Sequence, residues 1–157
     1  MLSTVTYYNV LKTIHILAVV IWVGGGFTLN ILGTRVTRTQ DGPRMLAFAA
    51  DAEWVGQRIY MPSSIVVLVG GVLAVIEGPW GFDDPWVGIG IAGIIVTALT
   101  GSLYFGPELG RISEIGRSRG VDDPEVQRRI ARLVPLLRID LVILLLIIVD
   151  MVIKPGA

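Results

Sequence analysis

Residues 8–30 read YNVLKTIHILAVVIWVGGGFTLN, and this stretch decides the class of the fold. It contains no acidic residue, and its basic groups are Lys12 and His15. A helix needs about 20 apolar residues to cross about 30 Å of hydrocarbon, and this run is long enough. Because lipid offers no water to a bare backbone, such a run is expected to be helical. The sequence therefore predicts a first membrane-spanning helix here.

Three further apolar runs follow, near residues 60–76, 86–105 and 136–153. The whole chain of 157 residues is 53% hydrophobic and 17% charged, with a mean hydropathy of +0.71. These values exclude an ordinary soluble domain. We predict an all-α polytopic membrane protein, a single four-helix transmembrane bundle that occupies residues 1–157.

Charge is balanced overall, with 13 Lys+Arg and 13 Asp+Glu, which gives no reason to expect nucleic acid as a partner. The arginines concentrate in two of the three loops, and that bias places these loops in the cytoplasm and both termini outside. We expect a bacterial inner (plasma) membrane protein whose arginine-rich hairpins contact anionic lipid. The loop arginines are Arg35, Arg38, Arg44, Arg58, Arg111, Arg117, Arg119, Arg128, Arg129 and Arg132.

Both arginine-rich hairpins carry helix start signals. Asp41-Gly-Pro and Asp122-Asp-Pro each combine a capping carboxylate with a proline in the first turn. Apolar residues follow at helical spacing, so we predict short interfacial helices that lie on the membrane surface. Trp80 and Trp86, in the remaining loop, are expected in an aromatic belt at the outer interface.

Small residues line one face of the third helix, and they are Gly90, Gly93, Thr97 and Gly101. Such stripes let transmembrane helices approach closely, so this face is predicted to pack against another helix. The small-residue face and the small size of the chain favour a homo-oligomer or a subunit of a larger membrane complex.

Polar residues inside the apolar runs are the candidates for function, because each ionisable group there costs about 2.5 to 3.5 kcal/mol on insertion scales. His15 and Trp22 share one face of the first helix, with Lys12 beside it. His15 and Asp150 have matching depths, which predicts a group formed by Lys12, His15 and Asp150. Such a group suits haem ligation, proton relay or a purely structural role. Met151 is a second candidate ligand. A second polar set, near the inner side, is Asn30, Arg58, Tyr60, Met61, Tyr104, Arg138 and Asp140.

The absence of cysteine excludes disulfides, thiolate metal sites and covalent haem attachment. With one histidine in the chain, bis-histidine haem and three-ligand copper or zinc sites are also excluded within one protomer.

The pattern Leu11-Lys12-x-x-His15 with Trp22 and its glycines, then Arg58-Ile-Tyr-x-Pro62 and Leu137-Arg138, resembles a known group of membrane proteins. It is similar to the four-helix core of HemJ-type protoporphyrinogen oxidases and CopD-type copper-resistance proteins, and to a related bacterial family of unassigned function. This resemblance implies haem b ligation by His15, with Lys12 beside it. The further Lys and His that the oxidases carry on the third helix are missing here.

Three functional hypotheses follow. The first is haem b binding in redox or porphyrin metabolism, with His15 as the iron ligand. The second is an accessory or structural subunit of a membrane complex. The third is a subunit of a proton-coupled transporter that uses His15 and Asp150; it has no visible inverted repeat to support it.

Overall fold

The structure is a computed structural model that describes residues 6–156, and all of its regular structure is helical. Four long helices make up this part of the chain. They are α1 (Tyr7–Arg38), α2 (Gly42–Glu77), α3 (Pro85–Arg119) and α4 (Pro124–Ile153). The all-α prediction is confirmed.

Helices α1, α2 and α3 are each long and apolar enough to cross a membrane. They contain 32, 36 and 35 residues, which corresponds to about 48 to 54 Å at 1.5 Å per residue. The hydrocarbon layer is only about 30 Å thick, so each helix continues well beyond it. Helix α4 is also long, but its apolar part contains Arg138, Asp140 and Asp150.

The two predicted interfacial helices are instead extensions of the long helices. Both predicted helix starts are observed. The Asp41 carboxylate caps α2 by accepting from the backbone N–H of Arg44, and the Asp123 carboxylate caps α4 by accepting from the backbone N–H of Glu125. However, α2 then runs without a break from Gly42 to Glu77, and α4 continues through Pro135. The bundle therefore extends at the end that holds the arginine-rich hairpins, which we call the arginine end. The opposite end holds the start of α1 and the end of α4.

Two hydrophobic cores follow each other along the bundle. The first lies in the apolar half and includes Trp22, Val67, Ile94 and Leu144, one from each helix. The second fills the extensions of α2, α3 and α4 at the arginine end, and its buried residues are Ala49, Phe105, Ile112, Val126 and Leu133. Burial of this second set explains why the extensions do not lie flat on a membrane: their apolar faces are already covered by one another.

The small-residue face of α3 packs against α4, as predicted. An added Cβ at Gly93 would lie 2.5 Å from Cδ1 of Ile147, and one at Gly90 would collide with the end of Met151. Thr97 is buried beside them. Gly101 is the exception, because nothing lies within 4 Å of the Cβ position there. The stripe thus divides into a packed part and an open part.

Two tryptophans at the junction of α2 and α3, Trp80 in the loop and Trp86 in the first turn of α3, contact Lys154 just after the end of α4. Trp80 and Trp86 meet edge to face at 5.5 Å, and Nζ of Lys154 lies 3.8 Å from the centre of the Trp80 ring. A cation over an indole face is attracted by the ring quadrupole. Trp86 is buried, so its ring is not exposed as the predicted aromatic belt at the outer interface requires.

Candidate functional site

His15 lies in the seam between α1 and α2. Its Nδ1 is 2.8 Å from the backbone oxygen of Val67, and since a carbonyl can only accept, Nδ1 donates and Nε2 keeps its free lone pair. Gly70 and Gly71 leave the room for this contact, because a Cβ at Gly71 would lie 3.0 Å from Cε1 of the imidazole. Histidines that bind metals are commonly oriented by a carbonyl in this way.

The predicted group of Lys12, His15 and Asp150 is not joined by hydrogen bonds in the described residues. The side chain of Asp150 makes no hydrogen bond within residues 6–156, and its Oδ2 is buried without a partner. Lys12 is exposed, with Nζ 5.8 Å from the centre of the Tyr8 ring. The Cε of Met151 packs on Gly90 of α3 and is therefore turned towards α3. His15, Asp150 and Met151 thus have different contacts, although their depths along the helices are similar.

A cavity of about 200 Å³ lies between the four helices, on the arginine side of Trp22. It borders α1 from Trp22 to Thr37, a distance of about 22 Å along a helix axis, and α4 from Ile130 to Leu144. Its wall is mainly apolar, with a few polar side chains. An elongated apolar space with few polar groups is the usual character of a small-molecule site.

Glycines create this space. Gly26 of α1, Gly56 of α2 and Gly101 of α3 all border the cavity, and nothing lies within 4 Å of the position of a Cβ on any of them. The glycines that serve packing are different, because neighbouring side chains occupy the Cβ positions of Gly25, Gly90 and Gly93. Glycine inside a helix costs about 1 kcal/mol relative to alanine, and at the three cavity positions no close contact offsets that cost.

The backbone is irregular at the same level of the bundle. Helices α1, α2 and α3 each contain one π-helical turn, at Val20–Gly24, Gly56–Tyr60 and Gly101–Phe105, and residues of all three turns border the cavity. Helix α4 contains Pro135, which removes one hydrogen bond donor from the same region. Single π-turns inside α-helices are frequent at functional sites.

Most of the second polar set from the sequence borders the cavity. Asn30, Tyr60, Met61, Arg138 and Asp140 line it, while Arg58 and Tyr104 do not. Of the candidates near the opposite end, Trp22 lines the cavity. His15, Lys12, Asp150 and Met151 do not. The sequence pattern did not single out Gly56; the available signal was that Gly26, Gly56 and Gly101 lie on three different helices near the depth of Asp140.

Asp140 is the acidic residue of the wall, and its carboxylate makes no hydrogen bond or ion pair to another residue in the range 6–156. Asn30 donates from Nδ2 to the backbone oxygen of Gly26 at 3.1 Å, and its Oδ1 accepts nothing from that range. Arg138 lies at the rim, exposed, with Nη2 3.4 Å from Oγ1 of Thr34.

Ion pairs close the arginine end beyond the cavity. Nη1 of Arg129 lies 2.7 and 2.9 Å from the two carboxylate oxygens of Glu108, which joins α4 to α3, and Nη2 lies 2.8 Å from Glu125. Hydrogen bonding and the charge of Arg129 hold the pKa of Glu125 below its usual value of 4.5. Glu108, the other carboxylate that contacts Arg129, is buried. No group of three His, Cys, Asp or Glu side chains suited to a metal ion occurs in the part of the chain that the structure describes.

The fold and the site together define a helical integral membrane protein with a partly open cavity between its helices. The chain belongs to the family described as predicted integral membrane protein (DUF2269), whose pattern matches residues 9–155. No curated protein and no solved structure matches the chain.

Proposed function

We propose that this protein binds a slender apolar or amphiphilic small molecule in the cavity between its four helices. The observation that carries the proposal is the set of three unpacked glycines, Gly26, Gly56 and Gly101, one on each of three helices. Interiors of proteins are packed with few voids larger than a water molecule. A space maintained by three glycines at the level of three π-turns is therefore better explained by a ligand than by packing.

The dimensions of the cavity limit the ligand. Pockets for drug-sized molecules have volumes of about 300 to 1,000 Å³, and this one has about 200 Å³. Its length along α1, about 22 Å, suits an extended alkyl or isoprenoid chain better than a flat ring system. A small protein with such a site also fits the accessory-subunit hypothesis, since it could supply or hold a lipophilic molecule for a larger complex.

The test is photolabelling of the purified full-length protein in detergent with a long-chain alcohol that carries a diazirine. We expect labelled peptides from the cavity wall in the wild type and at least tenfold less labelling there in Gly101→Leu. A leucine at this position has open space for its Cβ and would occupy the cavity.

Gly88→Leu is the matched control. Gly88 lies on the same helix, is exposed, has nothing within 4 Å of its Cβ position and does not border the cavity. Labelling of the cavity wall should be unchanged in this variant. Equal labelling of wild type and Gly101→Leu would contradict the proposal.

The proposed topology has four crossings, with the arginine end in the cytoplasm of a bacterial inner membrane and both termini outside. It is supported by the basic residues of the two hairpins and by a fourth helix of 30 residues that packs against α3 and α1. Single cysteines can be introduced at Ser118 and Asp83 without background, because the chain has none. An impermeant thiol reagent should label these two positions from opposite sides of intact vesicles; labelling of both from one side would refute the topology.

Haem b ligation by His15 is a second candidate, favoured by the free Nε2 lone pair of His15 and by the resemblance to HemJ-type proteins. The cavity does not border His15, so a haem held by this side chain would occupy a different site from the proposed ligand. Reduced-minus-oxidised spectra of wild type and His15→Ala from haem-supplemented cells are the test, and a Soret band that His15→Ala retains unchanged would exclude this ligand.

A further inference from the structure

The uncompensated carboxylate of Asp140 points to the chemistry of the ligand. Asp140 is half-buried, lies in the apolar part of α4 and borders the cavity. A carboxylate in a membrane-embedded wall is costly unless a partner offsets its lost hydration. The described residues provide no such partner by hydrogen bond or ion pair.

The hydroxyl groups of the wall are already engaged. Each of five Ser and Thr side chains donates its hydrogen to a backbone oxygen of its own helix, at 2.8 to 3.0 Å; they are Thr34, Thr37, Ser64, Thr97 and Ser102. Their free lone pairs can accept but not donate. The wall of the cavity is therefore rich in acceptors.

The remaining donors of the wall do not reach Asp140. The indole of Trp22, the hydroxyl of Tyr60 and the guanidinium of Arg138 make no hydrogen bond to it. The ring and hydroxyl of Tyr60 lie against Gly25, and Arg138 contacts Thr34 at the exposed rim. Arg138 is exposed and Asp140 is half-buried, so the charge of Arg138 is the more strongly screened of the two.

We infer that the cavity takes an amphiphile with a protonated amine head, which pairs with Asp140 while its hydrocarbon chain lies along the apolar wall. This inference rests on the proposed binding function. A cationic donor matches the carboxylate in charge and also finds acceptors in Asn30 Oδ1 and the wall hydroxyls. A neutral head leaves Asp140 without a counter-charge, and an anionic head is repelled.

The experiment compares three diazirine probes of one chain length, a primary alkylamine, an alcohol and a carboxylate, on the purified full-length protein. We expect the amine to label the cavity wall at a concentration at least tenfold lower than the alcohol does, with the carboxylate weakest. Asp140→Asn should remove the preference for the amine, and Asp140→Glu should retain it. Asp51→Asn, an exposed position outside the cavity, should behave as the wild type.

The outcomes separate the two proposals. Equal labelling by amine and alcohol, or an amine preference that persists in Asp140→Asn, would overturn the inference and leave the binding function standing. Labelling of the wall by none of the three probes would overturn both. Asp140→Glu keeps the charge and Asp140→Asn removes it. If the two variants have similar thermal midpoints and only Asp140→Glu retains the amine preference, the loss of preference in Asp140→Asn is due to the charge and not to unfolding.

Discussion

Replacing Gly93 with leucine should destabilise the bundle by roughly 3 kcal/mol or more, the upper range for overpacking a close contact. The Cβ alone would lie 2.5 and 2.9 Å from Cδ1 and Cγ1 of Ile147, and the rest of the leucine side chain would extend further into α4. Van der Waals packing is a main source of stability between helices in lipid. The packing energy lost when α3 and α4 move apart is therefore not replaced by other contacts. The measurement is thermal unfolding of the purified protein in detergent.

Gly88→Leu is the control for this change as well. It makes the same substitution five residues earlier on α3, at an exposed position with open space, and it should stabilise slightly through the better helix propensity of leucine. Identical thermal midpoints for the two variants would mean that the face with Gly93 does not pack against α4.

The helices could be predicted because their determinants are local. Apolar length marks the membrane segments, and Asp41 and Asp123 mark helix starts with short-range capping bonds. The continuity of α2 could not be read in the same way. The apolar run predicted that the second membrane helix begins near Tyr60, but the helix begins at Gly42, passes through the π-turn Gly56–Tyr60 and continues past Pro62.

The site was harder to predict because depth along a helix does not determine which helix a side chain faces. His15 and Asp150 have similar depth, yet His15 faces the backbone of α2, where two glycines admit its ring. The role of glycine was ambiguous for a related reason. Gly93 and Gly101 belong to one stripe in the sequence, and only the neighbouring helix shows that the first is covered and the second is open.

The arginine end depends on one buried charge. Glu108 is buried, and Arg129 contacts both of its oxygens across the interface between α3 and α4. The pair of Arg129 with Glu125 lies within α4, four residues apart, and does not join two helices. Removal of one partner from a buried pair leaves the other charge without compensation, which costs much more than removal of an exposed pair.

Glu108→Gln should therefore lower the thermal midpoint clearly more than Glu125→Gln, because only the first change weakens the contact between α3 and α4.

The effect of Glu125→Gln on stability should depend on pH. Since Arg129 lowers the pKa of Glu125, the stabilisation from Glu125 is complete above its usual value of 4.5 and is lost as the pH falls through the lower value of the folded state. The difference between wild type and Glu125→Gln should be constant from pH 7 to about 5 and shrink in more acidic buffer. Equal midpoints for the two variants at pH 7 would show that the Glu108–Arg129 pair does not hold the arginine end together.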